Sequence, residues 1–532
     1  MMRLFGSLLA SSKASKHPLL VLERSLAAYL ATNKQYAYEP RFFSAQPQSA
    51  IPQEFKFSQT HAGDKSVQEN NKSGIHVMSI QHVKPDKPTP HELRLYKLSA
   101  LDQINIPSYV PFIFFYPNNV NGNTNINIDN LVIERSKLLR DSLLETLTRF
   151  YPFAGKYMDD NNIVCTDEGV HYVETRVDGD LSSFVAKPDY TLLQGLLPSP
   201  LNCKEPTLGQ YLSLIQVNFF SCGGVAISMY NSHKLIDGRT YSTFLNAWAS
   251  AAKYDDPQKM VYPNFVSSSL FHPNTNVASS ASCPLSFLAV RPAMLKRGKC
   301  STKRFLFDSS GIQTLKEKAA ASTSVSPTRV LAVTSLIWKC ATAASRSLHG
   351  ERPSILQFAM NIRGRFAPPV PENAIGNICW TGVTRCDKLK DSLRLETMIE
   401  NIKAGIAKVD SGFLEKFKGE QGSDYIVDEM IQLGGQLSTY DADFYSSSSM
   451  CNYGFNEVDF GWGKPVWSCY GNFRDDIPLY ANVIILMDTR NGDGVEAWVT
   501  LGQEEMEILE NDPDLLSSSY MLLSSLVLFK LD

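Results

Sequence analysis

The segment His233-Lys234-Leu235-Ile236-Asp237-Gly238 carries the side chains best suited to chemistry in this chain of 532 residues. The imidazole follows an apolar run, Ala226-Ile227-Ser228-Met229-Tyr230, and the carboxylate comes four positions later. A neutral imidazole, with an unperturbed pKa near ~6.5, accepts a proton at neutral pH. A hydroxyl or amine is a poor nucleophile until a base removes its proton, and a positioned base contributes roughly 10²–10⁴-fold. The chemistry that suits such a base is acyl transfer from a thioester. The donor is already activated and a ternary complex supplies proximity, so no serine nucleophile is needed. A G-x-S-x-G elbow is absent, which weakens a serine-esterase reading. If residues 233–237 form one helical turn, His233 and Asp237 lie near each other. Taken alone, H-x-x-x-D is a frequent chance pattern, more often a solvated or core-satisfied pair than a site.

Elements must hold these groups. Residues 212–220 and 224–229 read as neighbouring strands joined at Ser221-Cys222-Gly223, and 241–252 as an amphipathic stretch. His233 then stands at a strand terminus, where a side chain is held firmly yet stays accessible. Upstream, residues 75–83 alternate apolar and polar like a half-buried strand, and 110–116 form a short aromatic-rich one. Residues 131–150 place Leu138, Leu139, Leu143, Leu144 and Leu147 at helical spacing, and Tyr151-Pro152-Phe153-Ala154-Gly155 ends that helix. Downstream, Pro327-Thr328 opens a helix, 355–360 and 483–487 read as buried strands, 495–501 alternates, and 515–528 reads as a closing helix. No regular β-α-β repeat and no phosphate-binding glycine loop is seen, which favours an α+β fold of mixed sheets over a doubly wound one.

The totals agree with a globular chain of two or three domains: 43% hydrophobic, 20% charged and 11% aromatic residues. A net charge of −3 favours neither nucleic acid nor an anionic membrane, and no apolar run approaches the ~20 residues of a membrane helix. The ten cysteines include no C-x-x-C pair, so they read as reduced thiols and no metal site is expected.

Residues 1–46 differ from the rest. Arg3, Lys13, Lys16, Arg24, Lys34 and Arg41 outnumber Glu23 and Glu39, Leu19, Leu22, Leu26 and Leu30 form a stripe, and Arg41-Phe42-Phe43-Ser44-Ala45 resembles a plant mitochondrial processing site. This is the composition of a transit peptide, the alternative being a disordered extension. Residues 47–74 read as a polar linker. The expected domains are 75–262, with the histidine, and 301–532, joined by a Ser-, Pro- and Asn-rich crossover at 263–300.

About two hundred residues beyond the histidine stands Asp459-Phe460-Gly461-Trp462-Gly463-Lys464-Pro465. H-x-x-x-D-G followed at that distance by D-F-G-W-G resembles the plant BAHD acyltransferases. Tyr151-Pro152-Phe153-Ala154-Gly155-Lys156, Cys165-Thr166-Asp167-Glu168-Gly169-Val170, and Asn361-Ile362-Arg363-Gly364-Arg365 leading to Asn373-Ala374-Ile375-Gly376-Asn377 are also similar to the family. The likeness covers residues 75–532, closest to the vinorine-synthase-like branch, whose members acetylate alkaloid or terpenoid alcohols.

This resemblance implies two similar chloramphenicol-acetyltransferase-like domains with a channel between them. Acyl-CoA, expected as acetyl-CoA, enters from one face and an alcohol from the other, with His233 as base midway and no permanently bound cofactor. Asp237 is expected to pair with Arg363 and fix the histidine loop. Asp459, Gly461 and Gly463 support a loop on the CoA side, and Trp462 is expected on that side or beside the oxyanion. The family commonly places a hydroxyl and an indole beside the tetrahedral intermediate. Here that stretch is Ser448-Ser449-Met450, so Ser448 and Ser449 keep hydroxyls while the indole is missing. The resemblance also implies a cytosolic monomer, with mitochondria the alternative if 1–46 act as an address. An N-acyltransferase and a weakly active binding homologue are the competing readings. A condensation domain usually carries a second histidine where Ser232 stands here.

Overall fold

The upstream apolar runs become strands Ile75–Val83 (β1), Tyr109–Tyr116 (β2), Val170–Val177 (β3), Ser213–Phe220 (β4) and Val225–Ser232 (β5) in the computed structural model. The downstream half supplies Cys300–Phe307 (β6), Ser354–Asn361 (β7), Cys379–Cys386 (β8), Asp443–Ser449 (β9), Trp467–Tyr470 (β10), Asn482–Asp488 (β11), Val495–Gly502 (β12) and Tyr520–Met521 (β13). The structure describes residues 74–521, apart from 106–107, 119–126, 160, 189, 199–210, 255, 275–293, 321–325, 388–392, 439 and 472–478. The expected leader at 1–46, almost all of the polar linker and the middle of the 263–300 crossover lie outside the described residues.

Six strands form one sheet in the order β1-β3-β4-β5-β2-β10, and seven form another in the order β8-β7-β9-β11-β12-β6-β13. Both are mixed: β3 runs parallel to β4, and β9 runs parallel to β7 and β11, while the other pairs are antiparallel. The expected α+β class of mixed sheets is what forms. Its division along the chain is crossed once, because β10 belongs to the downstream half yet pairs with β2, Trp467 opposite Phe115 and Tyr470 opposite Phe112. The physical reason is β2 itself. Phe112 to Tyr116 are fully buried, and an open edge on so apolar a strand would invite pairing with another chain. Trp467 covers it, stacking on Phe115 with centroids 5.0 Å apart.

Helices Ile128–Arg149 (α1) and Gly238–Lys253 (α2) pack on the first sheet side by side, and the Trp248 indole donates to the Leu139 carbonyl at 3.0 Å. Of the expected leucine stripe, Leu139, Leu143 and Leu147 are fully buried, one turn apart, while Leu138 lies at the exposed border. In the second half Thr328 caps Arg329–His349 (α3) by accepting from the Leu331 amide at 3.2 Å.

β12 separates two apolar cores. Val495, Ala497, Val499 and Leu501 pack with α3, whereas Trp498 joins the core of the first half together with Ile485 and Met487 of β11. The alternation in this strand therefore distinguishes two buried faces and not a wet from a dry one. The expected closing helix is corrected: a helix covers only Pro513–Leu516, and Tyr520–Met521 then pairs with β6. Ser517 and Ser519 turn their hydroxyls back onto the carbonyls of Asp514 and Leu515, a local bonding that competes with helix continuation. Residues 522–528 lie outside the described residues.

Candidate active site

The first residue after β5 is His233. Its amide donates to the Ser108 carbonyl at 2.7 Å, just before β2, and the Leu235 amide closes a turn onto Ser232 at 3.0 Å. The residues on either side are buried, yet His233 itself is half-exposed, so the imidazole is anchored and accessible together. The helical turn considered for 233–237 is not formed. The chain passes through a short turn, and helix begins only at Gly238, with Asp237 as its cap accepting from the Thr240 amide at 2.8 Å.

The Asp237 carboxylate finds its partners elsewhere than on the imidazole. Its Oδ2 accepts from Arg363 Nη1 at 2.6 Å and from the Ile378 amide at 3.1 Å, and its Oδ1 from Arg363 Nη2 at 3.2 Å. The expected pair is therefore present, and Arg363 has no exposed surface. Its Nη2 also donates to the carbonyls of Ala374 at 2.9 Å and Gly376 at 3.1 Å. Burial works against the guanidinium charge. The Asp237 carboxylate outweighs it, by attraction and hydrogen bonding, and holds the group above its ordinary value.

The partner of the imidazole is Asn377, which the sequence reading quoted without a role. Its Nδ2 has two acceptors, the His233 carbonyl at 2.8 Å and Asp102 Oδ1 at 2.9 Å. The amide orientation is thereby settled, and Oδ1 is the atom 2.9 Å from His233 Nδ1. An oxygen there accepts, so Nδ1 carries the proton and Nε2 keeps its lone pair. Asp102 was also missed. It accepts from the Asn377 amide at 2.7 Å, and its other oxygen accepts from the Ser99 amide at 2.9 Å and Ser99 hydroxyl at 2.7 Å. Burial pushes its carboxyl above the usual carboxylate range, and the hydrogen bonds from Ser99 and Asn377 oppose that. A signal existed, since Ser99-Ala100-Leu101-Asp102 has capping-box spacing and does form one.

Ser448 and Ser449 end β9, both half-buried. Register sets Ser448 beside Ile485, which faces the first core, while Tyr445 faces α3. By the strand's period of two, Ser448 shares the Ile485 face. Ser449 is turned elsewhere and accepts from the Cys451 amide at 3.2 Å. Met450 follows at the site: a Cβ added to Gly238 would come within 2.8 Å of its Sδ.

The D-F-G-W-G segment sits elsewhere. Asp459 Oδ1 accepts from the amides of Gly461 and Gly463, each at 2.8 Å, and Lys253 at the far end of α2 pairs with its carboxylate. The loop needs glycine at both positions, with φ of 106° and 111°. Trp462 stacks on Phe460 with centroids 5.7 Å apart and stands edge-on to Tyr116. Tyr116 ends β2 at the opposite terminus from Tyr109, which pairs with Ser232. Seven residue steps of strand, roughly 23 Å, separate those ends. Asp459, Gly461, Gly463 and Trp462 are thus not brought to His233, and Trp462 cannot flank an oxyanion there.

Comparison with known proteins gives the same assignment. The model of the Transferase family matches residues 74–516. A limonoid 7-O-acetyltransferase of Citrus sinensis is 36% identical over 454 residues, covering 83% of this chain and 97% of that protein. The chain belongs to the Transferase family, the BAHD acyltransferases. Vinorine synthase, in its crystal structure, is similar to this BAHD protein with a TM-score of 0.67 and 30% identity, covering 84% of this chain and 98% of that one. F. graminearum TRI101, complexed with coenzyme A and T-2 mycotoxin, shares the fold at a TM-score of 0.61 and 15% identity, covering 80% of this chain and 99% of that one.

In this BAHD acyltransferase the site is assembled where the halves meet. The imidazole comes from the first sheet, and Asn377, Arg363 and Met450 come from the segments around the second. The arrangement offers one nitrogen base, Nε2 of a half-buried imidazole, in surroundings where the neighbouring carboxylates, Asp102 and Asp237, are engaged by donors.

Proposed function

We propose that this BAHD acyltransferase moves an acyl group, expected as acetyl, from a CoA thioester to a hydroxyl of a plant specialised metabolite, an alkaloid or terpenoid alcohol, with His233 as the general base. Nε2 takes the acceptor proton while the acceptor oxygen attacks the thioester carbonyl. The tetrahedral intermediate then expels the CoA thiolate, and the imidazolium returns the proton to that sulfur. Thiol and ester leave, and no proton is gained or lost. The observation that carries this reading is the Asn377 amide, whose orientation leaves the lone pair on Nε2 of a half-exposed ring. Support for the donor and acceptor comes from relatives: one acts on a limonoid hydroxyl and one of the same fold is complexed with coenzyme A. Ser448 is the hydroxyl proposed to meet the oxyanion, since it shares the inward face of β9.

The test is incubation of the full chain with acetyl-CoA and a panel of alcohols and amines, with products read by mass. Esters formed by the wild type and not by His233→Ala are expected. Amides alone would move the acceptor to the nitrogen class. Coenzyme A binding by titration, with turnover absent on every acceptor, would leave a binding homologue. We further propose a monomer in the cytosol, read by light scattering and by a fluorescent fusion. Mitochondrial fluorescence that requires residues 1–46 would overturn the cytosolic address.

A further inference from the structure

The carboxylate in the histidine's own motif is occupied elsewhere. Asp237 is taken up by Arg363, Thr240 and Ile378. A different carboxylate, 275 positions from Asn377 in the chain, lies behind the imidazole. Asp102 has no exposed surface, and one of its oxygens receives both the amide and the Nδ2 of Asn377 while the other receives the amide and hydroxyl of Ser99. All four partners donate. The Ser99 hydroxyl itself accepts from the Asp102 amide at 3.2 Å, so its proton is directed at the carboxylate.

Capping the short helix that starts at Ala100 occupies only one carboxylate oxygen, the one that accepts from Ser99. What the buried carboxylate adds is that an ionised carboxylate only accepts. Facing it, Asn377 must present Nδ2, and its Oδ1 is then forced toward His233 Nδ1. With a neutral amide at position 102 that half of the constraint is gone, and only the His233 carbonyl still holds Nδ2 in place. Asn377 can turn over, offer Nδ2 to the imidazole, and favour the tautomer whose proton sits on Nε2, where it blocks the base. A second bond ties the same helix to the histidine turn, from Lys234 Nζ to the Gln103 carbonyl at 3.0 Å.

We propose that Asp102 is a positioning residue which sets the His233 tautomer through Asn377. The proposal rests on the general-base reading of His233. Its test uses the full chain labelled with ¹⁵N-histidine at a pH where the imidazole is neutral. The His233 ring nitrogens are assigned by their loss in His233→Ala. In the wild type, Nδ1 is expected to carry the proton and Nε2 to be the bare nitrogen. A wild-type ring protonated on Nε2 overturns the proposal without any variant having to fold. In Asp102→Asn the ring is expected to shift toward the Nε2-protonated form, with kcat lower by about 10²-fold and KM for acetyl-CoA within about twofold of wild type. Leu101→Ala, which loosens the packing of the same helix but leaves Asp102 and its four donors, is expected to melt earlier while keeping tautomer and kcat. If Asp102→Asn keeps the wild-type tautomer and kcat, or if Leu101→Ala loses both as Asp102→Asn does, the positioning role is refuted. Failure of the base reading is separate, because it shows as retained turnover in His233→Ala.

Discussion

Arg363 and Asp237 meet side on across 126 positions of chain, Nη1 to Oδ2 at 2.6 Å and Nη2 to Oδ1 at 3.2 Å. The pair ties the cap of α2 to the segment that leads into β8. The Ile378 amide donates to Asp237, and Asn377, the residue before it, holds the imidazole. Geometry is thus passed to His233 along the backbone, with no proton relay from Asp237.

Removing either partner strands the other in a dry site. Asp237→Ala and Arg363→Ala are each expected to destabilise by roughly 3–5 kcal/mol. The loss should appear as a lower denaturant midpoint, and the double variant should cost less than the sum of the singles. Additive losses would show that the two do not act as a unit.

His233→Ala truncates a half-buried side chain and removes one side-chain hydrogen bond, to Asn377, so its fold should survive. Turnover is expected to drop at least about 10²-fold with a melting temperature close to wild type. Near-normal turnover in the purified variant would remove the base assignment.

Gly238 opens α2 against Tyr453 and Met450, and an added Cβ would lie 2.7 Å from Tyr453 Cε2. Gly238→Ala is therefore expected to destabilise by about 1–3 kcal/mol through overpacking. It should also shift the turn that follows His233 and lower kcat more than thermal stability alone explains. A variant equal to wild type in both would show that Met450 and Tyr453 move aside freely.

Asp459 gives a pH-dependent contribution whose sign can be worked out. Burial raises its carboxyl, but Lys253 and the Gly461 and Gly463 amides outweigh burial, leaving the folded value below the ordinary 3.8. A group depressed on folding binds fewer protons in the native than in the unfolded state, so stability rises with pH in that window. The stabilisation is complete above about pH 4 and is lost as pH falls through the folded value. The difference in melting temperature between wild type and Asp459→Asn should be largest at neutral pH and shrink as pH falls below 3.8 toward the folded value. A difference that stays constant across that range would mean that the ionised form is not what holds the loop.

Much of this arrangement was legible in the residues. The strand before His233, the helix after it and the helix opened by Thr328 follow from apolar periodicity and capping chemistry, which act over a few positions. Arg363 was assigned to Asp237 through family resemblance, not through any local pattern. Asn377 and Asp102 were not found, because their bonds to the site span 144 and 275 positions and no periodicity reports a contact of that separation. The closing helix failed for a local reason, the serines after Leu516, and for a distant one, a free edge of β6 that takes up Tyr520–Met521.

By itself the sequence determined which side chains are available for chemistry and which stretches must be strands or helices, since side-chain type and short-range hydrogen bonding decide both. It also marked the glycines of the 461–463 turn, where a carboxylate two to four residues away collects the backbone amides. Tertiary structure alone decided which nitrogen of His233 is bare, which carboxylate stands behind it, and that the D-F-G-W-G loop lies at the far end of α2. Those outcomes depend on the directions of buried donors and acceptors, and only the packing of one half of the chain against the other brings these into register.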